Sequence, residues 1–552
     1  MRILSIVNDT TLAHQKMKTA LIVDNLTLTE WQKRALSHAS DVMDIEIILN
    51  CQNTQTKKNF LKHFSYYLIN LTALQNHLTR KSKLNFDYKT VVSFDSLYDG
   101  NWQTLPNKVL DEVEKRGIKL IIKFGMSLLR INKATSKFDI LSFHHGNPEK
   151  YRGRPAGFYE LLNNEEKLGL VVQKLSNKVD GGTIYAKAYA KVVHHSYKKT
   201  AINFFEKSEF LLRKAIQNYL DKSTVNIHKL GKNYKLPENS LVVCFLLSLA
   251  KRKIARLFYG MFFEKKWNIV KFKKVNLDGL NKLSVSSGSV PSVYKKYSFY
   301  ADPFFSPKGD VILVEAMNAK NGLGEIVQLD MDSLEMKGKL LEGAHYSYPF
   351  TLKDGEMEYI LPEVASHSSP YIVPLSPENQ KILQLEGLED LRLVDCTIIK
   401  HDEKYFLFGG LQSSSSDCLF LYYSKNLLGP YKPHPKNPIV MDPKTARMGG
   451  RIVAKEGRLL RFGQNNCFGY GQGLVVNEIN RLSPTEYEES CIGEIGFKDV
   501  KGPHTIDLRE DMAILDFYVE ELSVLAGYRR LAARVFKKLT VRKLSKPRKH
   551  NR

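Results

Sequence analysis

Apolar residues recur in two textures along the chain, and the change between them falls near residue 290. Residues 18–25, K-T-A-L-I-V-D-N, form a short β-branched run that stops at polar residues, as a buried strand does. Residues 28–40 then space apolar side chains at helical intervals after a Thr cap. Residues 44–49 predict a second strand, Val91 and Val92 a strand end, 106–116 a helix, and 118–124 an apolar strand. The run D-I-L-S-F from Asp139 predicts the next strand, whereas the polar stretch 51–90 fits no clear element. Alternation of strands and helices over about 200 residues predicts a mostly parallel α/β sheet. An amphipathic helix over 201–219 closes that domain, expected as 1–222.

Residues 223–290 are expected as a helical connector. Within it, 240–263 can form a helix with one apolar face and the basic cluster Lys251, Arg252 and Lys253. Such a helix packs between domains or lies on a membrane surface. Ser- and Gly-rich 284–292 predicts a hinge. From Phe299 onward the pattern becomes short strands and tight turns, with one layout used five times. Asp302, Tyr348, Asp395, Gly450 and His504 mark successive copies, each a start motif, a polar turn and an apolar strand. A period of about fifty residues with hairpins in each unit predicts a five-bladed β-propeller of about four strands per blade over 291–522. The overall class expected is α/β plus all-β. Residues 523–552 predict a basic amphipathic tail with Leu531, Val535, Leu539 and Leu544 as its stripe.

Composition narrows the function classes. The 552 residues are 43% hydrophobic and 25% charged, as in a globular protein of more than one domain. Six cysteines are scattered without a CxxC pair, against a zinc ribbon or a disulfide framework, and no metal site is expected. The first residues are too soon polar for a signal peptide, and the longest apolar run, 241–250, is roughly half of what spans a bilayer. A cytoplasmic protein is expected, peripheral at the inner face of the membrane if the tail docks there. The net charge of +24 favours anionic partners. The basic tail fits an anionic membrane surface, and it lacks the aromatic platform that nucleic-acid binding would use.

The candidate chemistry lies at L-S-F-H-H-G-N-P-E-K-Y-R-G, residues 141–153, and at Val179-Asp180-Gly181-Gly182. Two histidines emerge where a buried strand ends, the place where open α/β sheets carry reactive groups. An imidazole there and a carboxylate at Asp180 have the residue types of a general acid/base pair. Aligned on Tyr151-Arg152-Gly153, this stretch resembles the N-x-H-x-S-L-L-P-x-Y-R-G pattern of the folate-dependent formyltransferases, followed by a D-x-G about thirty residues later. The resemblance covers residues 18–222. It implies His144 and Asp180 as catalytic residues, and Phe124, Gly125, Met126 and Leu128 as the loop holding N10-formyltetrahydrofolate. It implies Arg152 and Gly153 at the acceptor. The chain departs from the pattern at Ser142, which stands where the family has an asparagine that stabilises the oxyanion, and at Leu129 in place of the loop proline. Ser142, or a protonated His145, is expected to supply the missing donor.

The repeat region resembles the propellers of glycoside hydrolases and, more closely, the propeller-like domain of the plant glucosamine inositolphosphorylceramide transferases, with S-K-N-L-L-G-P-Y-K-P-H-P-K-N-P-I from Ser424 as a blade edge. That resemblance implies Asp302, Glu363 and Asp395 as inner-strand carboxylates. Arg451, with Arg447, Gln464 and Asn465, is a candidate to line a polar pocket for sugar. The expected function is formyl transfer to an amino sugar on a nucleotide or lipid carrier, in surface polysaccharide synthesis. The alternatives are glycosidase or glycosyltransferase chemistry on the propeller, and a non-catalytic carbohydrate-binding scaffold with a decayed first domain.

Overall fold

The computed structural model describes residues 16–53, 60–84, 88–273, 283–376 and 381–531 and divides into two compact units, Met1–Arg252 and Lys253–Arg552. Unit 1 is built on strands β1 (Met17–Asp24), β2 (Met43–Cys51), β3 (Thr90–Phe94), β4 (Leu120–Lys123), β5 (Asp139–His144), β6 (Lys167–Lys174) and β7 (Thr183–Lys191). Their order across the sheet is β7-β6-β5-β4-β1-β2-β3. The five strands from β5 to β3 run parallel, and β6 and β7 are antiparallel additions at one edge. The central strands are nearly continuous apolar runs because both faces are covered. Ala20, Leu21, Ile22 and Val23 of β1 are all fully buried.

Helix α1 (Glu30–His38) starts with a capping box between Thr29 and Gln32. Helix α2 (Asn107–Lys115) buries Val109, Leu110 and Val113 against Ile22, Ile121 and Ile140 of the sheet. Helix α3 (Tyr197–Leu220) is capped by Ser196, which accepts from the Lys199 amide, and packs on α1, β6 and β7. Side chains alternate across a strand. On β5 this places Ile140, Ser142 and His144 on the α2 face and Phe143 on the other, where its ring meets Trp31 of α1 at 5.1 Å. Helix α4 (Asn239–Phe262) follows, with Val242 and Phe245 buried.

The stretch expected as a helical connector also holds a strand, β8 (Phe263–Phe272), which opens unit 2 and pairs antiparallel with residues at the far end of the chain. Its charged positions, in F-E-K-K-W-N-I-V-K-F, hide a strand whose second half is buried on both faces, at Trp267, Ile269, Val270, Lys271 and Phe272. Four antiparallel sheets follow. They begin with β9 (Tyr297–Phe305), β10 (Tyr346–Asp354), β11 (Leu393–His401) and β12 (Arg447–Met448). Strands β13 (Ile506–Arg509) and β14 (Met512–Leu522) complete a fifth sheet with β8.

The repeat markers have a common backbone form. Asp302, Tyr348 and Asp395 sit at φ of 49°, 44° and 49°, each at a register shift in its strand. A bulge of this kind re-aims a side chain out of the ladder. Each sheet's first strand touches the next, β9 to β10, β10 to β11 and β11 to β12. Gly450 bridges to Ile506 of β13, and β13 and β14 lie against β9. Gly450 needs its freedom: at φ 144° a Cβ would fall 1.9 Å from the Ile506 carbonyl. Of the basic tail's expected stripe, Val535, Leu539 and Leu544 lie outside the described residues, and Leu531 is exposed.

Candidate functional site

In unit 1 the end of β5 brings His144 to Asp180, with Nδ1 3.3 Å from Oδ2. The other ring nitrogen, Nε2, lies 2.9 Å from the Tyr151 carbonyl. A carbonyl only accepts, so Nε2 carries a proton and Nδ1 is the nitrogen that faces the carboxylate. The Tyr151 backbone therefore orients the ring and turns Nδ1 toward Asp180. Gly146 makes room for this: a Cβ there would lie 2.6 Å from Nε2 and 2.8 Å from the Tyr151 oxygen. Asp180, at φ 49°, accepts from the Gly153 amide at 2.7 Å and from Gln173 Nε2 at 3.4 Å. Gly153 thus holds the carboxylate. Arg152 spends Nε on the Gly231 carbonyl and Nη1 on the Val179 carbonyl, at 2.8 and 3.1 Å.

Ser142 is buried on the same face and stands in register with Lys123 of β4. Lys123 escaped the sequence reading, although a lysine ending an apolar strand run was its signal. Its ammonium donates to the Ser127 carbonyl at 3.2 Å. Burial pushes it down to about 8, against the pull of Asp24 and Asp180. His145 faces the other way, with Nε2 2.9 Å from Ser208 Oγ and its ring among Trp31, Phe204 and Phe205. Burial, with His144 alongside, pushes it down to about 3. A protonated His145 donating into the site is therefore not what the fold provides, because strand alternation turns it away.

The loop after β4 answers whether a folate would fit as the resemblance implies. The Phe124 and Gly125 amides donate to the Ile22 carbonyl, Met126 to Asp24 Oδ1 and Ser127 to Gln103 Oε1. Leu128 follows in a short parallel pairing with Trp102. The amides from 124 to 127 are spent inside the protein, and a buried ammonium lies beneath them. These residues do not fit the pterin as amide donors.

In unit 2 the bulged strands turn a set of carboxylates inward. Asp302, 4% exposed, accepts from the Tyr348 amide and from Thr505 Oγ1, and lies 3.1 Å from His504 Nε2. His504 Nδ1 is 2.7 Å from Asp516, so one imidazole sits between two carboxylates. Burial alone would lower His504, but Asp516 and Asp302 outweigh it and raise it to about 10. One ligand atom from each of these three residues lies within 4.8 Å of the others, a set that could hold a metal ion. Trp267 of β8 and Tyr470 flank that ring at 4.4 and 4.8 Å. Glu363 accepts from the Asp395 amide, and Asp395 holds Arg447 at 2.5 Å and Gln464 at 3.0 Å. Burial and then the neighbouring Asp302 push Glu315 well above the usual carboxylate range, and burial and then Asp395 do the same to Glu363. Asp302 is lowered: its burial is outweighed by His504, Thr505 and the Tyr348 amide.

Asp302, Glu363 and Asp395 thus belong to one electrostatic cluster with Glu315 and Arg447. Arg451 stands apart from it. It donates to Asp507 at 2.9 Å and to the Thr351 carbonyl at 2.6 Å, with its guanidinium over the Phe350 ring. Asn465 is engaged locally with the Cys467 amide. Glu315, Trp267, Tyr470 and Asp516 were missed from sequence, since each lies outside the repeat's start motif.

Residues 281–506 match the family described as glucosamine inositolphosphorylceramide transferase 1, N-terminal. A protein of that name from Arabidopsis thaliana is 30% identical over 224 residues, covering 37% of this chain and 28% of the relative. The one from Oryza sativa subsp. japonica is 29% identical over 236 residues, 39% of this chain and 30% of the relative. The chain spans less than a third of these relatives' length. Among solved structures, an exo-β-1,3-galactanase from Phanerochaete chrysosporium aligns at TM-score 0.28 and 14% identity, over 36% of this chain and 52% of that one. A formyltetrahydrofolate deformylase from Pseudomonas putida aligns at 0.27 and 15%, over 40% and 72%. A glycinamide ribonucleotide transformylase from Symbiobacterium toebii aligns at 0.27 and 10%, over 39% and 95%. Scores this low carry no argument about function.

Proposed function

We propose that the chain is a transferase that acylates the amine of an amino sugar, with the chemistry in unit 1 and sugar recognition in unit 2. The observation that carries this reading is the 3.3 Å approach of His144 Nδ1 to Asp180 at the end of β5, with Nε2 anchored on the Tyr151 carbonyl. A positioned imidazole–carboxylate pair of this kind takes a proton as an amine attacks a carbonyl. The amine's lone pair forms the new C–N bond, its proton passes to the Nδ1–Asp180 pair, and the donor's leaving group departs with that proton. The negative charge developing on the carbonyl oxygen needs a donor, the role proposed for Ser142 and for Lys123, its register partner on β4. Formyl is the acyl group implied by the resemblance of residues 18–222.

We propose further that the five sheets of unit 2 close into a propeller, its last blade completed by β8. The inward carboxylates and the aromatic pair Trp267 and Tyr470 then form its sugar-facing centre. Aromatic faces and paired polar groups suit a sugar ring. The name of the matched family carries an amino sugar and a ceramide lipid, which supports a lipid-linked amino sugar as acceptor.

A second reading is glycosidic-bond chemistry in unit 2, favoured by the opposite shifts of Glu315 and Asp302. A carboxylic acid kept neutral beside one kept ionised is the pairing such chemistry uses. One assay separates the two. Incubation with a glucosamine-bearing acceptor and a formyl donor, read by mass spectrometry, gives an N-formyl product on the first reading. Cleavage or transfer of the sugar without a new amide would sink it and leave the second.

A further inference from the structure

Helix α4 carries seven exposed apolar residues: Val243, Leu246, Leu247, Ile254, Leu257, Phe258 and Met261. Their exposures run from 45% to 66%, well beyond what a packed helix leaves open. At 3.6 residues per turn, all seven fall within about 60° of one line along the helix. The opposite side is the packed one, where Val242 and Phe245 are buried and Arg252 donates to the Leu161 carbonyl at 2.7 Å. Lys251 and Lys253, both exposed or partly exposed, border the stripe, about 80° to either side of its centre.

The stripe widens at its C-terminal end. Ser523 donates to the Phe262 carbonyl at 2.7 Å and Arg530 to the Gly260 carbonyl at 2.5 Å, which fastens 523–531 against the end of α4. With Leu522 at the end of β14, this segment adds Val524, Leu525, Tyr528 and Leu531, all 54% to 82% exposed. The sequence beyond it, 532–552, is rich in Lys and Arg and has no Asp or Glu. Among the described residues no helix is long and apolar enough to cross a membrane.

We propose that this face is a docking surface for an anionic phospholipid bilayer, with α4 lying in the interface and its lysines at the headgroups. An exposed apolar stripe bordered by Lys is the composition of a helix that rests in a membrane surface. Charge decides against a second copy as occupant, because a chain of net charge +24 would bring lysine against lysine. An anionic surface complements both the border and the basic segment that follows. The surface stands independently of the acyl-transfer reading.

The test uses the full chain and unilamellar vesicles, of phosphatidylcholine alone and of phosphatidylcholine mixed with phosphatidylglycerol. The protein is expected to sediment with the mixed vesicles, weakly with the neutral ones, and to be released by salt. The double variant Leu257→Glu, Phe258→Glu should bind the mixed vesicles at least tenfold more weakly. Lys251→Glu, Lys253→Glu should lose anionic selectivity. Both should keep the wild-type melting temperature, since the altered side chains are on the open side of the helix. Wild-type protein that ignores anionic vesicles, or variants that bind as well as it does, would overturn the proposal. So would a stable dimer in light scattering that the Leu257→Glu, Phe258→Glu variant dissolves.

Discussion

The two nitrogens of His144 have different neighbours, and that difference sets what nearby substitutions do. Nε2 is fixed by a backbone carbonyl, so the ring's orientation depends on the space left by Gly146. Gly146→Ala puts a methyl 2.6 Å from Nε2 and must swing the imidazole off Asp180. Misplacing a reacting group by about an ångström can cost about a hundredfold in rate. We therefore expect acyl transfer by Gly146→Ala to fall by about that factor, measured as kcat, with circular dichroism unchanged. His144 and Asp180 were legible in sequence because their motifs keep order and spacing. The role of Tyr151 was not, since a carbonyl has no residue type. Nor was Lys123, which meets the site only through strand pairing across β4 and β5.

At the scale of elements, the patterning located the five parallel strands and helices α1, α2 and α3 of unit 1, but not the edge strand β7 or the short helix Phe158–Leu162. The runs at 18–25, 44–49 and 118–124 became β1, β2 and β4, and the 106–116 pattern became α2. It failed where charge interrupts the apolar pattern. In β8, Lys265, Lys266 and Lys271 mask a strand whose partners lie 241 to 259 residues away, and pairing at that range leaves no local trace. The strand matters for stability. Ile269 is fully buried between Tyr297, Tyr300 and Ile514, so Ile269→Ala removes methyl groups from a filled core. A loss of about 2–5 kcal/mol in unfolding free energy is expected from denaturant titration. A loss below about 0.5 kcal/mol would mean that β8 does not belong to this sheet.

Taken whole, the molecule carries two oppositely placed pH sensitivities. In unit 1, burial lowers His145 to about 3, and His38 and His194 to about 4. Between those values and the ordinary histidine value near 6.5, the unfolded chain binds protons that the folded one refuses. These histidines make unit 1 lose stability as pH falls below about 6.5, opposed in part by Glu160 and Glu209, which burial raises to about 8 and about 7. In unit 2, His504 is raised to about 10 by Asp516 and Asp302. Its contribution is complete below about 6.5 and is lost as pH rises through about 10. Calorimetry across pH should show the unit 1 transition falling first in acid and the unit 2 transition falling first in alkali. His504→Gln should flatten only the alkaline limb.

If His144 and Asp180 pass the proton for acylation of a sugar amine, substituting either must slow the transfer. Formyl transfer to a glucosamine-bearing acceptor is measured for wild type, His144→Ala and Asp180→Asn, each shown to melt at the wild-type temperature. In both variants kcat is expected to fall by roughly a hundredfold to ten-thousandfold. Wild-type rates from folded His144→Ala protein would contradict it.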